Sequence, residues 1–123
     1  MKEIIAIIRP KKVTETKEAL AALGFPGITA SFVLGRGKQR GIAGEISYQV
    51  DPSVLTGEAN VGMQYIPKRF ISIVVEDDMV DQVTGVIVKI NQSNRVGDGK
   101  IFVCQVDEAI RVRTDESGNP ALH

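Results

Sequence analysis

Residues 69–92 read RFISIVVEDDMVDQVTGVIVKINQ, and the change of period inside this stretch decides the fold. Arg69 to Glu76 is a run of β-branched and aromatic residues, the length of a strand and too short for a buried helix. The acidic pair Asp77-Asp78 ends it, and either aspartate can cap the start of a helix by accepting its first backbone N–H groups. The helix then runs to about Gln92, with Val80, Val83, Ile87 and Ile90 spaced i, i+3, i+7 and i+10 along one face. Ser93 to Gly99 reads as a loop, and Lys100 to Val106 (KIFVCQV) as a further strand.

The N-terminal half repeats this order. Glu3 to Arg9 (EIIAIIR) is a β-branched strand bounded by Pro10. Val13 to Leu23 follows as a helix, with Val13, Leu20 and Leu23 on one face, Ala19, Ala21 and Ala22 as helix formers, and Gly24 at its end. Gly27 to Gly35 (GITASFVLG) is the second strand. Two strand–helix–strand halves predict an α+β domain: a ferredoxin-like βαββαβ sandwich whose antiparallel sheet carries two helices on one face. Apolar residues alternate poorly in the strands, so both sheet faces read as apolar, which favours sheet-to-sheet oligomerisation.

The halves are joined by a different kind of sequence. Arg36 to Gln64 contains Gly37, Gly41, Gly44, Pro52, Gly57 and Gly62 and has weak periodicity. A loop of this length in a compact domain is functional or disordered. Its basic residues, Arg36, Lys38 and Arg40, stand at the start; from Gly41 to Pro67 only Glu45, Asp51 and Glu58 are charged. The expectation is one domain over residues 1–123, with a long flexible loop at about 37–66 and a mobile tail at about 114–123, where Gly118 and Pro120 interrupt a polar run.

Composition narrows the function classes. At 123 residues the chain fits one domain, and a ligand site belongs on an edge, under a loop or between subunits. Fifteen basic and fifteen acidic residues cancel, which argues against a nucleic-acid partner, and 5% aromatics leave no stacking platform beside the basic residues. Cys104 is the single cysteine, so no intrachain disulfide forms and a reducing compartment is expected. The apolar run Ile4 to Ile8 is too short for a signal-peptide core, and no stretch approaches the ~18 apolar residues of a membrane span. The expected location is cytoplasmic, with no membrane insertion.

Three segments carry chemistry. Gly97-Asp98-Gly99-Lys100 lies between the second helix and the fourth strand; it is either a turn with a solvated lysine or an anion nest in which glycines admit a phosphate and Lys100 adds charge. The P-loop spacing is absent. Gly35-Arg36-Gly37-Lys38-Gln39-Arg40-Gly41 alternates glycine with long cations. No helix follows it, so a dinucleotide fold is excluded, and it reads either as a phosphate-contacting wall or as a solvated loop base. Arg111-Val112-Arg113 puts two guanidiniums on one face of an extended segment, for a polyphosphate or as exposed rim residues. Catalytic readings find little support. The lone histidine, His123, is terminal, Cys104 sits mid-strand as a small hydrophobe, and no acidic, histidine or cysteine cluster has metal-ligand spacing, so no structural metal is expected.

The block Ser93-Asn94-Arg95-Val96-Gly97-Asp98-Gly99-Lys100-Ile101-Phe102-Val103 resembles the C-terminal signature of the PII nitrogen regulatory signal proteins. IIAIIRPKKV, GRGKQRG, IPKRF and RVRT fall in that family's order and register. The resemblance implies compact trimers of ferredoxin-like subunits with ATP or ADP in the clefts between them. It assigns nucleotide contacts to Gly37, Lys38, Gln39, Arg40, Gly97, Asp98, Gly99, Lys100, Arg111, Arg113 and Thr29. It assigns 2-oxoglutarate and the Mg2+ on ATP to Gln39, Gly41 and Lys68, with Lys68 pairing with the acid's carboxylate. It implies a sensor and not an enzyme, acting through its long loop.

The departures from the family pattern matter too. The modifiable loop tyrosine is absent; Tyr48 and Tyr65 lie in other contexts, so uridylylation is not expected. The loop is longer than in common members. With GFPGITA, IPKRF and KINQ, this resembles the nitrogen-fixation branch. That branch implies a homotrimer or a mixed oligomer with a sister PII-like subunit, and nitrogenase as target. The alternatives are a general PII protein controlling an ammonium transporter or a nitrogen-assimilation enzyme, and a nucleotide-using enzyme on the same fold.

Overall fold

The computed structural model describes residues 1–36 and 65–123. Among these, four strands and two α-helices follow the order β1 (Lys2–Ile8), α1 (Val13–Ala22), β2 (Thr29–Gly35), β3 (Ile66–Val75), α2 (Val80–Asn91) and β4 (Lys100–Gln105). The strands form one sheet in the order β2-β3-β1-β4, antiparallel throughout. This is the ferredoxin-like arrangement that the two strand–helix–strand halves predict. No helix among the described residues is long and apolar enough to cross a membrane.

The core lies between the sheet and the helices. Ile4, Ala6 and Ile8 of β1 alternate inward and meet Ile71, Ile73 and Val75 of β3, Leu20 of α1, and Val83 and Ile87 of α2. Each isoleucine, leucine or valine among them contributes about 1.5–3 kcal/mol on burial. A buried polar contact also joins the helices. Asn91 Nδ2 donates to Thr16 Oγ1 at 3.1 Å and to Ile87 O at 2.9 Å, and Thr16 Oγ1 donates to Lys12 O at 2.8 Å.

By strand alternation the opposite sheet face presents Ile5, Ile7, Phe70 and Val74. Glu3 and Ser72 share that face, where Ser72 Oγ donates to Glu3 Oε2 at 2.6 Å, and by the same alternation Lys68 and Lys100 lie on it beside Ile7. Cys104 pairs in register with Glu3 and is partly buried there.

Three local readings change. First, β3 begins at Ile66, not at Arg69, and so takes in the last residue of the expected loop. Pro67 fits because pairing with β1 ends at Arg69, leaving that side of β3 without ladder bonds at the proline. Second, Arg9 stands outside β1, with φ −68° and ψ 141°, at the head of a short 3-10 turn. Third, neither Asp77 nor Asp78 caps α2; they lie in a 3-10 turn, Asp77–Met79, that precedes it. Asp77 instead binds the N-terminal ammonium at 2.9 Å and Lys2 Nζ at 3.1 Å, which together draw its carboxyl below the ordinary value. Residues 114–123 include a 3-10 turn at Asn119–Leu122, and His123 Nε2 lies 2.8 Å from Glu76 Oε1 with its ring against Phe25.

Candidate functional site

β4 begins beside the end of β1, and the loop before it, residues 93–99, folds over that end of the sheet. A cleft of about 570 Å³ opens there on the sheet's uncovered face. Ile7, Ile66, Val96 and Phe102 form its apolar walls, and Arg36, Lys68 and Lys100 supply its cations, with Gly35, Gly97 and Gly99 as backbone surface. Arg36 is further held over the Tyr65 ring, its guanidinium carbon 5.6 Å from the centroid.

The loop's shape follows from its glycines and from two cations beneath it. Gly97 and Gly99 have φ of +100° and +113°, which side-chain-bearing residues avoid. At Gly99 a Cβ would stand 2.0 Å from Ile7 O, so only glycine lets the loop lie this close to β1. Lys68, 8% exposed, donates from Nζ to Gly97 O at 2.6 Å. Arg9, 2% exposed, donates from Nη1 to Asp98 Oδ1 at 2.5 Å and to Ser93 Oγ at 3.4 Å, and from Nη2 to Val96 O at 3.0 Å. Adjacent carbonyls at positions 96 and 97 are thus held by separate cations, both drawn from strand ends.

The Asp98 side chain is held inside the loop. Its carboxylate accepts the Ser93 amide at 2.7 Å, the Asn94 amide at 3.0 Å, the Ser93 hydroxyl and the Arg9 guanidinium. Burial alone would raise its pKa, but the Ser93 hydrogen bonds and then Arg9 outweigh that and hold the carboxyl well below the ordinary range. Asp98 therefore braces the loop from within.

The remaining assigned residues divide. Gly97, Gly99, Lys100 and Lys68 meet at the cleft. Thr29 is exposed at the other end of β2, six residues and ~20 Å of strand from Gly35. Arg111 and Arg113 follow the Gln105 end of β4, the end remote from the loop. They do not lie on one face of an extended segment: residues 112–114 form a turn closed by Asp115 N donating to Arg111 O at 2.8 Å. Arg111 pairs with Glu116 at 2.9 Å and donates to Pro120 O at 3.2 Å, and Arg113 is exposed. Gly37, Lys38, Gln39, Arg40 and Gly41 lie outside the described residues.

Sequence reasoning missed Arg9 and gave Ser93 no role. The signal for Arg9 was present: it is the one charge at the end of the run IIAIIRP, where a buried strand meets a proline. Its partners lie more than eighty residues away, so spacing could not name them.

The family described as nitrogen regulatory protein P-II matches residues 1–116. The chain is 52% identical over 122 residues to nitrogen fixation nifHD1 region GlnB-like protein 2 of Methanosarcina barkeri, covering 99% of each chain. It is 49% identical over 122 residues to the nifHD region glnB-like protein 2 of Methanococcus maripaludis, covering 99% of this chain and 100% of the other. Against the nitrogen regulatory protein P-II of Bradyrhizobium diazoefficiens the identity is 43% over 122 residues, with the same coverage.

Proposed function

Because the chain belongs to the nitrogen regulatory protein P-II family, we propose that it binds ATP or ADP at the cleft under residues 93–99 and reports energy and carbon status to a target. It is a regulatory protein of the nitrogen-fixation branch and not an enzyme. Nitrogenase is the target that the names of its nifHD-region relatives favour.

The observation that carries the reading is the meeting of Lys68, Lys100 and Arg36 around two positive-φ glycines in one cleft. A polyphosphate needs cations and a closely approachable backbone, and this cleft has both. Its volume of about 570 Å³ falls within the ~300–1,000 Å³ of ordinary ligand sites. Lys100 and Arg36 hold the anion, while Ile7, Val96 and Phe102 line the cleft beside it. Charge-assisted hydrogen bonds of this kind contribute about 1.5–3 kcal/mol each.

Thr29, Arg111 and Arg113 join the site from another subunit, in a homotrimer or a mixed oligomer with a sister chain. Gln39 and Gly41, with Lys68 on the acid's carboxylate, receive 2-oxoglutarate and the magnesium on ATP. The bound ligands act by favouring the arrangement of residues 37–64 to which they bind best, and that segment meets the target.

Calorimetric titration of ATP with magnesium, with and without 2-oxoglutarate, tests the reading. ATP binding that strengthens with the acid is expected, with equal strengthening in the reverse titration. Absence of ATP binding overturns it.

A further inference from the structure

We infer that Arg9 and Asp98 are positioning residues, a partly buried ion pair that sets the phosphate-facing loop in shape before a ligand arrives and cancels the loop's one negative charge. This rests on the nucleotide reading above and deepens it.

Two observations carry it. The first is saturation: the Asp98 carboxylate already receives two backbone amides, a hydroxyl and a guanidinium, all from the loop or from Arg9. The second is reach. Arg9 crosses from the end of β1 to touch Ser93, Val96 and Asp98, the beginning, middle and end of the loop. A carboxylate beside a phosphate site opposes binding unless neutralised, and opposes it more as the phosphate carries more charge. Paired with Arg9, Asp98 braces the loop and leaves Lys68, Lys100 and Arg36 to set the sign of the cleft.

Asp98→Asn separates positioning from simple charge. If Asp98 were only a negative charge near the phosphates, its removal would tighten ATP. As a brace, its loss breaks the Arg9–Asp98 pair and leaves the loop unset. ATP affinity then falls by roughly tenfold to a hundredfold, the weight of one charge-assisted hydrogen bond, and adenosine affinity stays the same. Arg9→Met loses ATP affinity in the same pattern, and Arg9→Lys restores part of it. Should Arg9→Met fail to fold, the near-isosteric Asp98→Asn carries the test alone. Calorimetry for ATP and NMR titration for adenosine supply both readouts. Tighter or unchanged ATP binding by Asp98→Asn, or equal losses for ATP and adenosine, overturns the inference. A wild-type chain that binds no ATP fails one step earlier, on the nucleotide reading itself.

Discussion

Replacing Gly99 by alanine adds one methyl group at the point where the loop presses on the sheet. Two effects add. The backbone there has φ +113°, and forcing alanine into so sparsely populated a region costs about 1–3 kcal/mol. The new Cβ would also stand 2.0 Å from Ile7 O and 3.1 Å from Ile7 C. Both are backbone atoms of a strand paired on each side, so no side-chain rotation relieves the overlap. Separating loop and strand costs about 1–3 kcal/mol more, the usual range for overpacking. The sum, about 2–6 kcal/mol, is a large part of the 5–15 kcal/mol that holds a domain together. At this chain length about 1 kcal/mol corresponds to ~4 °C, so the melting temperature should fall by roughly 8–24 °C. Thermal and urea unfolding followed by circular dichroism measure it, with Gly85→Ala as an internal control. A Gly99→Ala melting temperature within about 2 °C of wild type, with the sheet signal unchanged, would refute the packing of this loop on β1 and the reasoning built on it.

Gly85 is exposed within α2, and a Cβ added there would meet nothing within 4 Å, so Gly85→Ala should gain up to about 1 kcal/mol in urea unfolding. Thr16→Val removes both the bond to Lys12 O and the acceptor for Asn91 in a fully buried place; a loss of about 1–3 kcal/mol is expected in the same assay. Asp98 has a depressed carboxyl pKa, so its stabilisation is complete above the ordinary aspartate value of ~3.9 and is withdrawn as pH falls below that toward the folded value. The stability gap between wild type and Asp98→Asn should accordingly be constant from pH 7 to about 5 and shrink below about 4; a gap unchanged to the acid limit would contradict the ion pair.

The fold was legible because its signals are local. The shift from a β-branched run at Phe70–Val75 to the helical spacing of Val80, Val83, Ile87 and Ile90 needs only near neighbours to be read. The boundaries at Ile66 and Asp77 were not, because tertiary partners decide them. Pro67 is admitted by the end of β1 pairing, and Asp77 is drawn from a capping role by the N-terminal ammonium. The site divides the same way. Gly97, Gly99 and Lys100 were legible as a glycine turn beside a cation, since that pattern lies in adjacent residues. Arg9, just past β1, and Lys68 of β3 come from far along the chain, and their role as supports of the 96 and 97 carbonyls exists only once the sheet has formed.

Asp98 shows why a motif and a site are different things. Read along the chain, an aspartate between two phosphate-facing glycines belongs with the ligand contacts. Read in space, its carboxylate is engaged by the loop's own amides and a buried guanidinium. The same separation governs the remaining assigned residues. Thr29, Arg111 and Arg113 occupy parts of one chain that the cleft does not reach, and Arg111 there has Glu116 for a partner. If those residues serve the nucleotide, a neighbouring subunit must present them, and Arg111 must exchange Glu116 for phosphate. On the proposed reading, ligand affinity and assembly are then one equilibrium: whatever loosens the subunits weakens the nucleotide, and nucleotide tightens the subunits by the same free energy.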